Sequence, residues 1–220
     1  MPKNLVILPG DGYELSNQKK LIDYLSSKGF NVKWIQLMES DSQQLSYDDL
    51  LPENYCKYIS SKIPPEFDSF YMYGISKGCY WSQVYASLNP HKVQKLLLIE
   101  PTTMKPDLLK NFELNRNNDF IQEYYDNPAH VTREDNSKTA LDVLVSETRR
   151  FIPKCPTTII WTSRDNRNEP YTPEVISLKK KFEAYLKNNG CKLKVLHVDG
   201  SHTLDQEEAN YPLIYRALIN

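Results

Sequence analysis

Short apolar runs punctuate a chain that is otherwise polar. Six of them have strand length: Leu5–Leu8, Val32–Leu37, Ser69–Tyr73, Lys95–Ile99, Thr157–Thr162 and Leu193–Val198. Between most of these runs the apolar residues fall at helical spacing, as in Leu21, Ile22 and Leu25 before Gly29, Leu51, Tyr55, Tyr58 and Ile59 before Pro64, and Val175, Leu178, Phe182, Tyr185 and Leu186 before Gly190. Gly29 and Gly190 stand where a helix commonly ends in the left-handed conformation. Further helices are predicted over Cys79–Leu88, closed by Asn89-Pro90, and over Asp205–Ile219. Alternating strands and helices predict an α/β architecture of about six mostly parallel strands with helices on both faces. The runs LVIL, LLLI and TIIW are continuously apolar, as strands buried on both sides should be.

One segment breaks the alternation. Pro101 to Pro153 holds no convincing strand, only two predicted helices near Lys110–Tyr125 and Thr139–Phe151. It is too long for a plain connection, so it reads as a small helical cap or lid, residues 101–153, inserted into a single domain spanning residues 1–220.

Composition narrows the partners. Twenty-seven basic against 28 acidic residues leave a net charge of −1, with no dense basic run, which disfavours nucleic acid and anionic membranes. The first apolar run is too short for a signal peptide or a membrane span, so a soluble, cytoplasmic protein acting on a small molecule is expected. Cys56, Cys79, Cys155 and Cys191 are scattered and suggest free thiols. Pro9-Gly10-Asp11-Gly12 lacks the lysine-serine ending of a phosphate loop and the spacing of a dinucleotide fingerprint, and Asp11 there fits turn propensity better than metal binding. No cofactor and no metal site are expected, and the sequence leaves the oligomeric state open.

The chemistry concentrates around a serine. The chain has only seven glycines, and two of them, Gly74 and Gly78, flank Ser76 in the order G-x-S-x-G, after an apolar run and before a helical segment. That order encodes a sharp strand-to-helix turn in which larger neighbours would clash. Serine needs a base to become a useful nucleophile, and the base is usually a histidine steered by a carboxylate. Asp165 follows the strand TTIIWT, and His202 follows LKVLHV, both on the sheet edge that carries Ser76. His91 and His130 sit in a turn and in the expected cap, and His197 lies inside a strand. Glu100, at the end of the strand after the serine, and Asp199, three residues before His202, are the rival acids to Asp165.

With GISKG, LLLIEP, TTIIWTSRD and LKVLHVDGSH in place along nearly the whole chain, the sequence resembles the α/β-hydrolase superfamily, in a compact six-stranded version with a three-layer fold. LVILPGDG looks like the strand that leads into that family's oxyanion loop, with Pro9-Gly10 where His-Gly is frequent. The resemblance implies a serine esterase or thioesterase working through an acyl-enzyme. Ser76 would be the nucleophile, His202 the base and Asp165 the orienting acid. It also implies backbone oxyanion donors at Lys77 and at Asp11 or Gly12. Tyr13, Tyr124 and Tyr125 are candidates for lining the substrate pocket. A catalytically idle binding or scaffolding protein on the same frame is the alternative.

Overall fold

The structure is a computed structural model that describes residues 3–10, 12–38, 49, 52–101, 151–165 and 167–220. Its centre is a six-stranded sheet made of β1 (Lys3–Leu8), β2 (Phe30–Trp34), β3 (Phe70–Ile75), β4 (Val93–Ile99), β5 (Thr157–Thr162) and β6 (Leu193–Val198). The strands lie in the order β2-β1-β3-β4-β5-β6, and every pairing is parallel. The strand ends that matter for chemistry therefore all emerge at one edge.

Among the described residues five helices cover the sheet: α1 (Leu15–Ser27), α2 (Pro52–Lys62), α3 (Lys77–Leu88), α4 (Pro173–Asn188) and α5 (Tyr211–Ile219). Alternate residues along each strand feed two cores. Val6, Leu8, Met72, Leu96, Leu98 and Trp161 pack with α2, α3 and α4, while Leu5, Ile7, Tyr73, Ile75, Leu97 and Ile160 pack with α1 and α5. The three-layer α/β-hydrolase arrangement follows directly. The central strands β4 and β5 are almost wholly buried, which is why they read as unbroken apolar runs.

Two elements differ from the sequence pattern. The apolar run predicts one strand over Val32–Leu37, but β2 stops at Trp34. Ile35 still donates to the Ile7 carbonyl, yet Pro9 offers no N–H to extend the ladder further. The expected final helix over Asp205–Ile219 is two 3-10 turns, Leu204–Gln206 and Glu208–Asn210, followed by α5. The break follows from burial of the Asp205 side chain and from Pro212 opening α5. The predicted cap lies outside the described residues except at its ends. There Phe151 and Ile152 pack on the α3 face, their carbonyls accepting from Gln83 and Ser87 at 2.7 and 3.2 Å. Among the described residues no helix is long and apolar enough to cross a membrane.

Candidate active site

β3 runs directly into the turn that carries Ser76. The serine sits at φ 51° and ψ −120° as the N-cap of α3, a conformation that costs a residue with a side chain about 1–3 kcal/mol. The flanking glycines are there for space. A Cβ on Gly74 would stand 2.6 Å from both the Gly78 carbonyl oxygen and the Ser82 hydroxyl, and one on Gly78 would fall on the Leu8 and Pro9 carbonyls. The end of β1 is thus the wall against which the elbow is pressed. The Cys79 thiol, kept protonated by burial, ties the turn down by sharing its one proton between the Gly74 and Ile99 carbonyls, each at 3.1 Å.

Lys77 is the first residue of α3, so its N–H belongs to the helix turn that favours negative charge. The loop after β1 lies against the serine, because a Cβ on Gly10 would be 3.2 Å from that of Ser76. Gly12 follows with φ 73°, a left-handed turn suited to glycine. Asp11, Tyr124 and Tyr125 lie outside the described residues. Tyr13 is buried, and its hydroxyl points to the Asp205 carboxylate at 3.5 Å.

The carboxylates near His202 have different tasks. Glu100 ends β4 at φ 49°, in the left-handed region where a non-glycine residue needs a reason, and its side chain is 3% exposed. Its Oε2 lies 3.6 Å from His202 Nδ1, in ion-pair range and somewhat longer than a hydrogen bond. Such contacts commonly tighten when substrate binds. Tyr171 donates to the same oxygen at 2.6 Å, the Thr162 N–H donates to Oε1, and Lys179 Nζ bridges both oxygens at 3.0 and 3.1 Å. Burial pushes the Glu100 carboxyl up. The nearby His202 imidazole, the Lys179 charge and the Tyr171 and Thr162 donors outweigh that and leave it below its ordinary value.

Asp165 faces its own turn. One of its oxygens accepts from the N–H groups of Arg167 at 2.8 Å and Glu169 at 3.0 Å, and these bonds hold its carboxyl low, with His202 a minor influence. Asp199 points into solvent, bonded to Ser163 at 2.6 Å and paired with Arg164 at 3.4 Å. The structure therefore brings Glu100 rather than Asp165 or Asp199 to the imidazole of His202.

A second carboxylate lies behind the site. Asp205 is fully buried and accepts from Gln18 at 2.7 Å, from Tyr73 at 3.0 Å and, more weakly, from Tyr13. It joins α1, β3, the loop after β1 and the His202 loop at one point. Sequence reasoning missed Asp205, Lys179 and Tyr171. Among the described residues no group of three or more His, Cys, Asp or Glu side chains is placed to hold a metal ion.

No protein-family model matches the chain, and no curated protein matches it at a significant level. Solved structures do. A thioesterase domain from the curacin biosynthetic pathway superposes with a TM-score of 0.64 at 12% identity, over 100% of this chain and 91% of that one. An epoxide hydrolase from Bacillus megaterium gives 0.64 at 14%, over 100% and 94%. An α/β hydrolase enzyme from the metagenome of lagoon sediments at Mar Chica, Morocco, gives 0.61 at 21%, over 97% and 90%. The chain has the α/β-hydrolase fold.

Proposed function

We propose that the protein is a serine hydrolase that cleaves a small or medium carboxylic ester or thioester through an acyl-enzyme. The observation that carries this reading is the strained Ser76 backbone, held at the head of α3 by two space-making glycines on the edge that also presents His202. Strain at a single serine is a feature that packing alone has no use for. The neighbouring thioesterase and α/β-hydrolase structures support the reaction class without fixing the substrate.

In this reading His202 removes the hydroxyl proton as Ser76 Oγ attacks the carbonyl carbon. The Lys77 N–H and a donor from the loop after β1 hold the oxyanion. Collapse of the tetrahedral intermediate breaks the bond to the alcohol or thiol, which leaves with the proton carried by His202. Water then repeats the sequence, releasing the acid and restoring Ser76. We assign the orienting carboxylate to Glu100 in place of Asp165, on the 3.6 Å approach to Nδ1 and on the occupation of Asp165 by its own turn.

The test is labelling by a fluorophosphonate and turnover of p-nitrophenyl esters of increasing acyl length. Ser76→Ala should abolish both, and Glu100→Gln should cut turnover by about 10⁴-fold while Asp165→Asn retains most of it. Reversal of the last two results would return the acid to Asp165. A wild-type protein that neither labels nor turns over would instead be the idle binding module.

A further inference from the structure

Glu100 does not face His202 alone. Behind it stands Lys179, whose ammonium bonds to both carboxylate oxygens, with only 8% of the lysine side chain and 3% of the glutamate exposed. The ammonium is itself fixed. Its nitrogen lies 3.4 Å from the centroid of the Tyr171 ring and 4.7 Å from that of Trp161. Trp161 is pinned by donating to Glu183 at 2.8 Å, one turn further along α4. Tyr171 offers its ring to the lysine and its hydroxyl to Glu100. This is a built arrangement: a buried cation between two aromatic faces, aimed at the carboxylate that meets the base.

An acid that only orients imidazole needs no buried lysine. A cation at hydrogen-bond distance from that acid competes with the imidazolium for the same negative charge. It also keeps the acid ionised in a place where burial would otherwise protonate it.

We propose that Lys179, seconded by Tyr171, is a positioning residue that fixes Glu100 against His202 and sets how far into the acid range the site keeps working. This rests on the reading of Ser76, His202 and Glu100 given above. Removing the lysine charge takes away one of the contacts that offset the burial of Glu100, so the carboxyl takes up a proton more readily. A protonated Glu100 no longer holds the imidazole for proton transfer.

The other titratable groups facing this cluster stay in place in the variants. The Cys79 thiol of α3 is held protonated by burial. Asp165, beyond Tyr171, and Asp205, on the His202 loop, are both within electrostatic range of the imidazole.

The experiment follows the second-order rate of fluorophosphonate labelling of Ser76 from pH 4 to pH 9, which needs no knowledge of the substrate. Lys179→Met should move the acidic limb of the profile upward by about one pH unit or more. Lys179→Arg, which keeps the charge, should return it to the wild-type position, and Tyr171→Phe should move it the same way by less. A Lys179→Met limb that stays in place while the rate falls would overturn the proposal, leaving the lysine a packing residue. So would an arginine variant that shifts as far as methionine. Should the methionine variant not fold, Tyr171→Phe decides, and an unmoved limb there counts against us. Glu100→Gln separates the two levels. Slow labelling of that variant together with an unmoved Lys179→Met limb defeats only the role of the lysine. Labelling of Glu100→Gln at the wild-type rate, or none in the wild type, defeats the triad reading and this inference with it.

Discussion

Replacing Asp205 by asparagine tests how the buried carboxylate behind the site is held. Asp205 is wholly enclosed and receives hydrogen bonds from Gln18, Tyr73 and Tyr13, but burial outweighs them and pushes its carboxyl from 3.8 to about 6. A raised acid binds its proton more tightly in the folded than in the unfolded chain. Its stabilisation is therefore complete below the unfolded value near 4 and is lost as pH rises through about 6. A separation of about two units corresponds to about 3 kcal/mol at 1.36 kcal/mol per unit. Asparagine removes the titration but keeps the shape, adding a constant offset because its amide presents a donor to groups that are themselves donors. Urea unfolding of both proteins at pH 4, 5, 6 and 7 gives the result. The stability of the wild type relative to the variant should fall by about 2.4 kcal/mol across that range, the remainder appearing below pH 4. A difference that does not change with pH would show that burial leaves the carboxyl unperturbed. A difference that moves the other way would show that the three donors win.

Three further substitutions probe the frame around the site. Gly78→Ala places a methyl group on the Leu8 and Pro9 carbonyls and should destabilise the fold by more than about 3 kcal/mol. Gly190→Ala, at φ 84° in open space, should cost only about 1 kcal/mol; equal losses in thermal unfolding would refute the argument that the elbow glycine is selected for room. Trp81, fully buried and stacked on Tyr55 with centroids 3.4 Å apart, should lose about 3–5 kcal/mol on truncation to alanine, read by chemical denaturation.

What the sequence reveals depends on whether local pattern or distant packing decides. β5 and β6 match their apolar runs residue for residue, and β5 does so because a strand buried between layers has no other composition open to it. Ser76 is legible because its turn requires glycines at fixed offsets. The carboxylate that faces His202 is not legible. Glu100 and Asp165 both follow strands, and the left-handed backbone that turns Glu100 inward leaves no mark in the dipeptide Glu-Pro. Lys179 is hidden for another reason: in the run Lys179-Lys180-Lys181 it reads as a solvated face. The helix register places it on the inner side with Leu178 and Leu186, where only the carboxylate across the layer explains it. Asp205 reads as an ordinary helix-start residue until its three donors, drawn from α1, β3 and the first loop, are seen together.

Under the proposed mechanism, the order of strands in the sheet has a consequence for when the molecule becomes reactive. Ser76 and Glu100 end neighbouring central strands, whereas His202 hangs from β6, the outermost strand on that side and the last in the chain. A folding intermediate with β1 to β5 assembled would hold a strained hydroxyl and its distant counter-charge but no proton acceptor. Covalent labelling of Ser76 would then report docking of the final edge strand, and chemical competence would coincide with completion of the sheet.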